Sequence, residues 1–265
     1  MGKHFSRTLM MLVAAAGLAV AQQSAKVPKG ADGHPNLSGI WQAMNSANWD
    51  LADHAARTGT VVAAGTLTAD PGGLGVVEGG EIPYLPAALE QKKKNFEHRL
   101  DLDPEIRCYL PGIPRATYMP YPFEIFHSTK AIFFAYQYAG AVRSIFLKDP
   151  GPAPTDTWMG QSVGHWDGDT LVVDNTGFND RTWLDRAGDY HSDALHVIER
   201  FTMTSADVMM YEATIEDPKV YSKAWKIRMP LYRHVEKNAR LVEFKCVEFV
   251  EDLIYGGLYK KPVTK

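Results

Sequence analysis

From residue 121 onward, apolar and polar positions alternate with a period of two. The alternation falls into short runs at 121–127, 131–138, 141–148, 162–166, 170–177, 194–203, 208–216, 224–234 and 239–248. Successive side chains on a strand point to opposite faces, so each run reads as a half-buried β-strand. An earlier run, NLSGIWQAM at 36–44, has the same character, and Asp167-Gly168 between two runs is a tight hairpin signal. Strands that follow one another without intervening helices predict an antiparallel meander. Closing the meander on itself removes its open edges, so a barrel is the expected fold, with a β-sandwich as the alternative. The period changes once, over 86–100. There Pro86 suits a first helical turn, and Leu89, Phe96 and Leu100 recur at helical spacing. Between the first strand and this helix, residues 45–85 are rich in Gly, Ala and Asp and are broken at Pro71-Gly72-Gly73 and Gly79-Gly80. Loops of that length are commonly functional, and this one predicts a lid. The expectation is a single all-β domain over 36–265, preceded by a flexible polar segment at 22–35.

The first 21 residues follow another rule. Lys3, His4 and Arg7 precede the apolar run LMMLVAAAGLAVA, and Ala19-Val20-Ala21 is a small-x-small site before Gln22. This is the pattern of a cleaved secretory signal peptide at 1–21, and it predicts a periplasmic or secreted protein. The apolar run is short for a membrane span, so no membrane association is expected after cleavage. A formal net charge of −3 without an extended basic run excludes nucleic acid as an expected partner. The chain has two cysteines, Cys108 and Cys246. An oxidising compartment makes a disulfide between them one reading, and two buried free thiols the other. Two cysteines are too few for a thiolate metal cage.

The alternation also says where polar side chains point. On 194–203 one face carries Leu195, Val197, Glu199, Phe201 and Met203, and the other carries Ala194, His196, Ile198, Arg200 and Thr202. Glu199 therefore faces the interior with apolar company and needs a partner or a raised pKa. Phe123 and Ile125 share a face with His127, and Ile145 and Leu147 share one with Arg143. Two readings fit an inward Arg and an inward Glu: a buried ion pair that fixes strand register, or polar groups facing a ligand. The stretch FNDRTWLDRAGDYHSDALHVIERF at 178–201 brings Asp180, Arg181, Asp185 and Arg186 around Trp183 and Leu184, which need burial. It reads as a loop at the barrel mouth. His191, Asp193 and His196 within it are potential metal ligands, but the odd spacing of the two imidazoles puts them on opposite faces of a strand. No metal or cofactor is expected, and no nucleophile elbow, phosphate loop or dinucleotide fingerprint is present.

Two resemblances bear on this. Gly39-x-Trp41 on the first strand, with the β-meander after it, resembles the lipocalin and wider calycin group. That resemblance implies a barrel around a ligand cavity. The stretches WMGQSVGHWDGDTLVVDNTGFNDRTWLDRAG and HSDALHVIERF resemble a widespread family of exported bacterial proteins, over most of 105–250. This second resemblance supplies no chemistry.

The expected function is therefore that of an exported enzyme acting on a small, largely apolar or aromatic organic molecule. It would be a cofactor-independent lyase, hydratase or isomerase. Glu199, His127, His191, His196 and Asp193 are the candidate acid–base groups. Arg143, Arg200, Asp180, Arg181, Asp185, Arg186, Trp183, Tyr136, Phe134 and Trp225 are the candidate substrate contacts. The alternative is a non-catalytic carrier or sensor of such a molecule, since an apolar cavity with a few polar groups suits both. A homodimer stays open.

Overall fold

The computed structural model describes residues 27–58 and 69–255. The signal peptide expected at 1–21 and part of the expected lid, 59–68, lie outside the described residues. In chain order the elements are β1 (Gly39–Ala43), β2 (Arg57–Thr58), β3 (Ala69–Asp70), α1 (Pro86–Glu97), α2 (Arg99–Leu102), a 3-10 turn at Pro104–Arg107, and α3 (Arg115–Tyr118). They continue with β4 (Phe123–His127), β5 (Ile132–Tyr136), β6 (Val142–Phe146), β7 (Gln161–Asp167), β8 (Thr170–Thr176), β9 (His196–Met203), β10 (Val208–Glu216), β11 (Trp225–Arg233) and α4 (Val250–Tyr255). Nine strands form a closed barrel in the order β1-β11-β10-β9-β8-β7-β6-β5-β4. The all-β barrel anticipated by the alternation is thus the fold, consistent with the calycin-like barrel that the first resemblance implied. Among the described residues, no helix is long and apolar enough to cross a membrane.

Two details differ from the expected meander, and one follows from the other. The run at 239–248 is not a strand. β1 already pairs with the free edge of β11, through Trp41↔Arg233 and Ala43↔Leu231, and with β4 on its other side. A tenth strand has no edge left to join. Nine strands cannot alternate up and down around a closed ring, so one neighbouring pair must run parallel. That pair is β6 and β7, and the connection at 147–160 provides the long crossover a parallel pair needs. Its ladder is short, only Ile145↔Ser162 and Phe146↔Val163. The helix expected over 86–100 also breaks, at His98, into α1 and α2.

The interior follows the period-two pattern. Val197, Glu199, Phe201 and Met203 of β9 are buried, as are Met209, Tyr211, Ala213 and Ile215 of β10 and Trp225, Ile227, Met229 and Leu231 of β11. Phe134, expected as a substrate contact, belongs to a run of packed rings: Phe123 on Phe134 at 5.8 Å, Phe134 on Phe201 at 5.4 Å and Phe201 on Tyr211 at 5.1 Å. Trp41 lies under the guanidinium of Arg233, 4.2 Å from its ring centre.

Connections between strands place a thick cap over one end of the barrel. This end receives the segments after β1, before β4, between β8 and β9, and between β10 and β11. The loop 178–195 buries Trp183 and Leu184 there, as a barrel-mouth segment should. Helix α1 docks on it where Asn95 donates to the Gly188 carbonyl at 3.2 Å. Gly188 has φ +85°, and a Cβ there would sit 2.7 Å from the Asn95 Cβ, so only glycine permits both the turn and the contact. The segment 76–78 lies along β11 beyond the end of β1, through a Val77↔Ile227 bridge, and covers that stretch of edge.

Candidate functional site

The polar groups inside the barrel form one connected network. Arg143 on β6 and Glu199 on β9 are an ion pair, both side chains almost wholly buried. The Glu199 carboxylate also accepts from the Tyr211 hydroxyl at 2.8 Å and from the Asn175 amide at 3.0 Å. Arg143 donates to Ser162 Oγ at 2.8 Å, to Asn175 Oδ1 at 2.7 Å and to the Tyr136 hydroxyl at 3.4 Å, and its guanidinium lies 5.4 Å from the Phe134 ring. Burial alone would lower the Arg143 pKa, but the charge of Glu199 and the hydrogen bonds to Glu199 and Tyr136 together raise it. The Tyr211 hydroxyl is pushed well up by burial and by the same carboxylate. The Arg143–Ser162 bond crosses the parallel β6–β7 seam, where the backbone ladder is shortest. The network therefore has the features of a register device: each charged atom is spoken for, and it spans the weakest join in the ring.

The remaining residues expected at a common site are dispersed. His127 lies at the opposite end of the barrel, where Nδ1 accepts from the Leu37 N–H at 3.5 Å and Nε2 donates to Asp32 at 2.8 Å. His196 stands on the outer face of β9 between Asp174 at 3.0 Å and Glu216 at 3.2 Å. Arg200 is outside too, paired with Asp167 at 2.8 Å. Asp193 pairs with Lys219 in solvent at 2.5 Å, and Asp180 and Arg181 are exposed. These corrections share a cause. His196 and Arg200 occupy the odd face of an alternating strand, while Asp180, Arg181 and Asp193 occupy turns of a loop whose apolar residues alone face inward. His191 is buried in the cap, donating from Nδ1 to the Ser192 carbonyl at 2.8 Å and accepting at Nε2 from the Thr182 hydroxyl at 2.5 Å. Burial holds its pKa down and keeps the ring neutral. Trp225 is buried edge-on against Tyr221, 5.3 Å away, and its indole N–H finds no protein acceptor.

The cap concentrates charge. Arg115, fully buried, donates to Asp103 at 3.0 Å and 3.3 Å, to Glu105 at 2.6 Å and to Asn48 at 2.9 Å. Arg186 holds Glu105 through two bonds of 2.8 Å. Burial works to raise the Glu105 pKa, but Arg186 and Arg115 overcome it and hold it at about 2. Asp185 behaves in the opposite way. Burial and the neighbouring Asp189 charge push its pKa well up. With Asp50 they present oxygens within 4.8 Å of one another, a hard set of the kind that calcium or magnesium accepts. Those oxygens already have partners: Arg57 on Asp50 at 2.9 Å, the Leu51 and Asp189 amides on Asp185, and the Tyr84 hydroxyl on Asp189 at 2.7 Å.

Beside this ionic frame lies a cavity of about 450 Å³. One wall comes from α1, α2 and the 3-10 turn, with Glu97, Leu100, Asp101, Glu105 and Ile106; the floor holds Tyr121, Tyr138 and Arg186. The other wall is the C-terminal segment 244–250. Phe244 packs 5.0 Å from both Tyr121 and Tyr138, and the Tyr138 hydroxyl donates to the Glu105 carbonyl at 3.1 Å. A disulfide between Cys108 and Cys246 fastens this wall to the turn after Glu105, aided by the Phe249 amide on the Ile106 carbonyl at 2.9 Å. The bridge settles which of the two cysteine states the chain adopts and fits an exported protein. Of the cavity's residues Arg186 was named from sequence as a ligand contact, Cys246 as a bridge candidate and Leu100 for its helical spacing. The strongest missed signal is the alternation of Val242, Phe244 and Cys246, which marks a one-sided apolar face without saying what it covers. No family model, curated protein or solved structure matches this chain.

Proposed function

We propose that the chain is an exported carrier or sensor of a small, largely apolar or aromatic organic molecule, bound in the cap cavity and not in the barrel. The observation that carries this is the ring cluster of Tyr121, Tyr138 and Phe244 around about 450 Å³ of space, a volume within the range of small-molecule sites. The enzymatic reading named Glu199, His127, His191, His196 and Asp193 as acid–base groups, with Glu199 the one inside the barrel. Its carboxylate is engaged by Arg143, Tyr211 and Asn175, an arrangement that supports a structural task for it. The disulfide and the N-terminal sequence support a periplasmic or secreted location.

A neutral fluorescent apolar probe, N-phenyl-1-naphthylamine, tests the site. Phe244→Ala removes one side of the ring cluster and should weaken probe binding about tenfold, the scale of one aromatic contact with its burial. Arg200→Ala, on the outer barrel face, should leave it unchanged. Equal affinity in Phe244→Ala and the unaltered protein would place the ligand elsewhere.

A further inference from the structure

The reading above leaves the ligand's charge open. Resting on that reading, we infer that the cavity selects a small organic monocation, an alkylammonium or arylammonium with an apolar body. The inference comes from accounting for every charge on the wall. Arg186 is neutralised by its two-bond contact with Glu105. Lys245 lies 3.3 Å from Glu243, both in solvent. Arg107 donates from its guanidinium to the Asp101 carbonyl at 2.8 Å and is not among the residues that line the cavity. Two wall carboxylates remain, Glu97 and Asp101, and among the described residues neither makes a side-chain ion pair or hydrogen bond. The residues lining the cavity carry three carboxylates, Glu97, Asp101 and Glu105, against two cations, Arg186 and Lys245, so their formal charge is negative.

The rings add to this. The face of a tyrosine or phenylalanine ring carries negative potential, so Tyr121, Tyr138, Phe244 and Phe249 present electron-rich surface to whatever enters. Arg107 already lies 5.8 Å from the Phe249 ring centre, at the edge of the cavity. An anionic ligand would meet Glu97 and Asp101 unscreened and the ring faces with the wrong sign. A neutral ligand would gain from the rings but not from the carboxylates. An ammonium on an apolar body gains from both. Because Glu97 and Asp101 are exposed, the charge preference is modest and falls with salt.

The test is a charge series of one shape, measured by displacement of the neutral probe from the full mature protein. The series is 2-phenylethylammonium, 2-phenylethanol and 3-phenylpropanoate. The ammonium should bind about five- to tenfold more tightly than the carboxylate at low ionic strength, a gap that narrows with added salt. The double variant Glu97→Gln/Asp101→Asn should level the series while leaving 2-phenylethanol unchanged. A carboxylate that binds as tightly as the ammonium would overturn the charge assignment, as would discrimination that survives the double variant. In either case, probe binding that still depends on Phe244 would leave the site itself standing. Absence of probe binding to the unaltered protein would remove both.

Discussion

The barrel interior and the cap both bury charge, and they do so in different ways. Inside the barrel a single ion pair, Arg143–Glu199, is surrounded by Tyr136, Ser162, Asn175 and Tyr211, and the network joins strands across the parallel seam. The cap holds Asp50, Asp70, Asp103, Glu105, Asp185 and Asp189 against Arg57, Arg115 and Arg186, and where cations run short the Asp185 pKa is pushed up. Beside it stands a cavity with two unpaired carboxylates on its wall. Interior polarity that is fully partnered specifies a structure; polarity left open beside a cavity is free to recognise a ligand. On the proposed reading the regular scaffold and the recognition surface are separate, and the loops carry the latter.

The largest effect should come from cutting the strap that makes the cavity wall. Cys108→Ser/Cys246→Ser opens a loop with a sequence separation of 138 and should cost about 4–5 kcal/mol on the chain-entropy account. Denaturant unfolding measures this. The same variant should lose probe binding under conditions where it is still folded, because 244–250 is one whole wall. Intact binding in a folded double-serine protein would show that the wall stands without its bridge.

Next in size is Glu199→Gln. It keeps the shape but strands the Arg143 charge inside the barrel, so a loss of about 3–5 kcal/mol is expected. Probe binding in the cap should not change at temperatures where the variant is folded. A variant as stable as the unaltered protein would contradict the register role, and one that is folded yet unable to bind would return the ligand to the barrel.

The contrast between the two regions also explains what the sequence could and could not reveal. Glu199 and Arg143 were legible because period-two alternation assigns faces without knowledge of the neighbours. The same count, applied to Met209-Tyr211-Ala213 and to Leu171-Val173-Asn175, points Tyr211 and Asn175 inward as well. The parallel seam was not legible, since it depends on whether 239–248 is a strand, and alternation there is as regular as in any true strand. What decides against it is β1 occupying the edge of β11, a long-range fact. The cavity was hidden for the same reason. Glu97, Tyr121, Tyr138 and Phe244 lie on four separate segments, and only the folded cap and the disulfide bring them together. His196 and Arg200 lie on the face of β9 that the alternation turns away from Glu199, so closeness in sequence does not bring them together with it.

The smallest expected effect is a pH slope, and its sign follows from the Asp185–Asp189 pair. Asp185 keeps its proton in the folded protein at pH values where the unfolded chain, with an ordinary carboxyl near 3.8, has lost it. The folded state thus binds more protons above that value, and stability falls as pH rises toward the folded pKa. Glu105 works the other way, its contribution being lost as pH falls from about 4.5 toward 2. One extra proton gives a slope of at most about 1.4 kcal/mol per pH unit. Asp185→Asn mimics the protonated form, since its amide can donate to Asp189, and should flatten the decline. His196 adds a slope of the same sign nearer neutrality: burial lowers its pKa, but bonds to Asp174 and Glu216 raise it overall. Melting temperatures are therefore best compared in a His196→Gln background, where that contribution is gone. If the slope above pH 4 is the same with Asp185 and with Asn at this position, the Asp185 pKa is not raised, and the cap must balance its carboxylates in some other way.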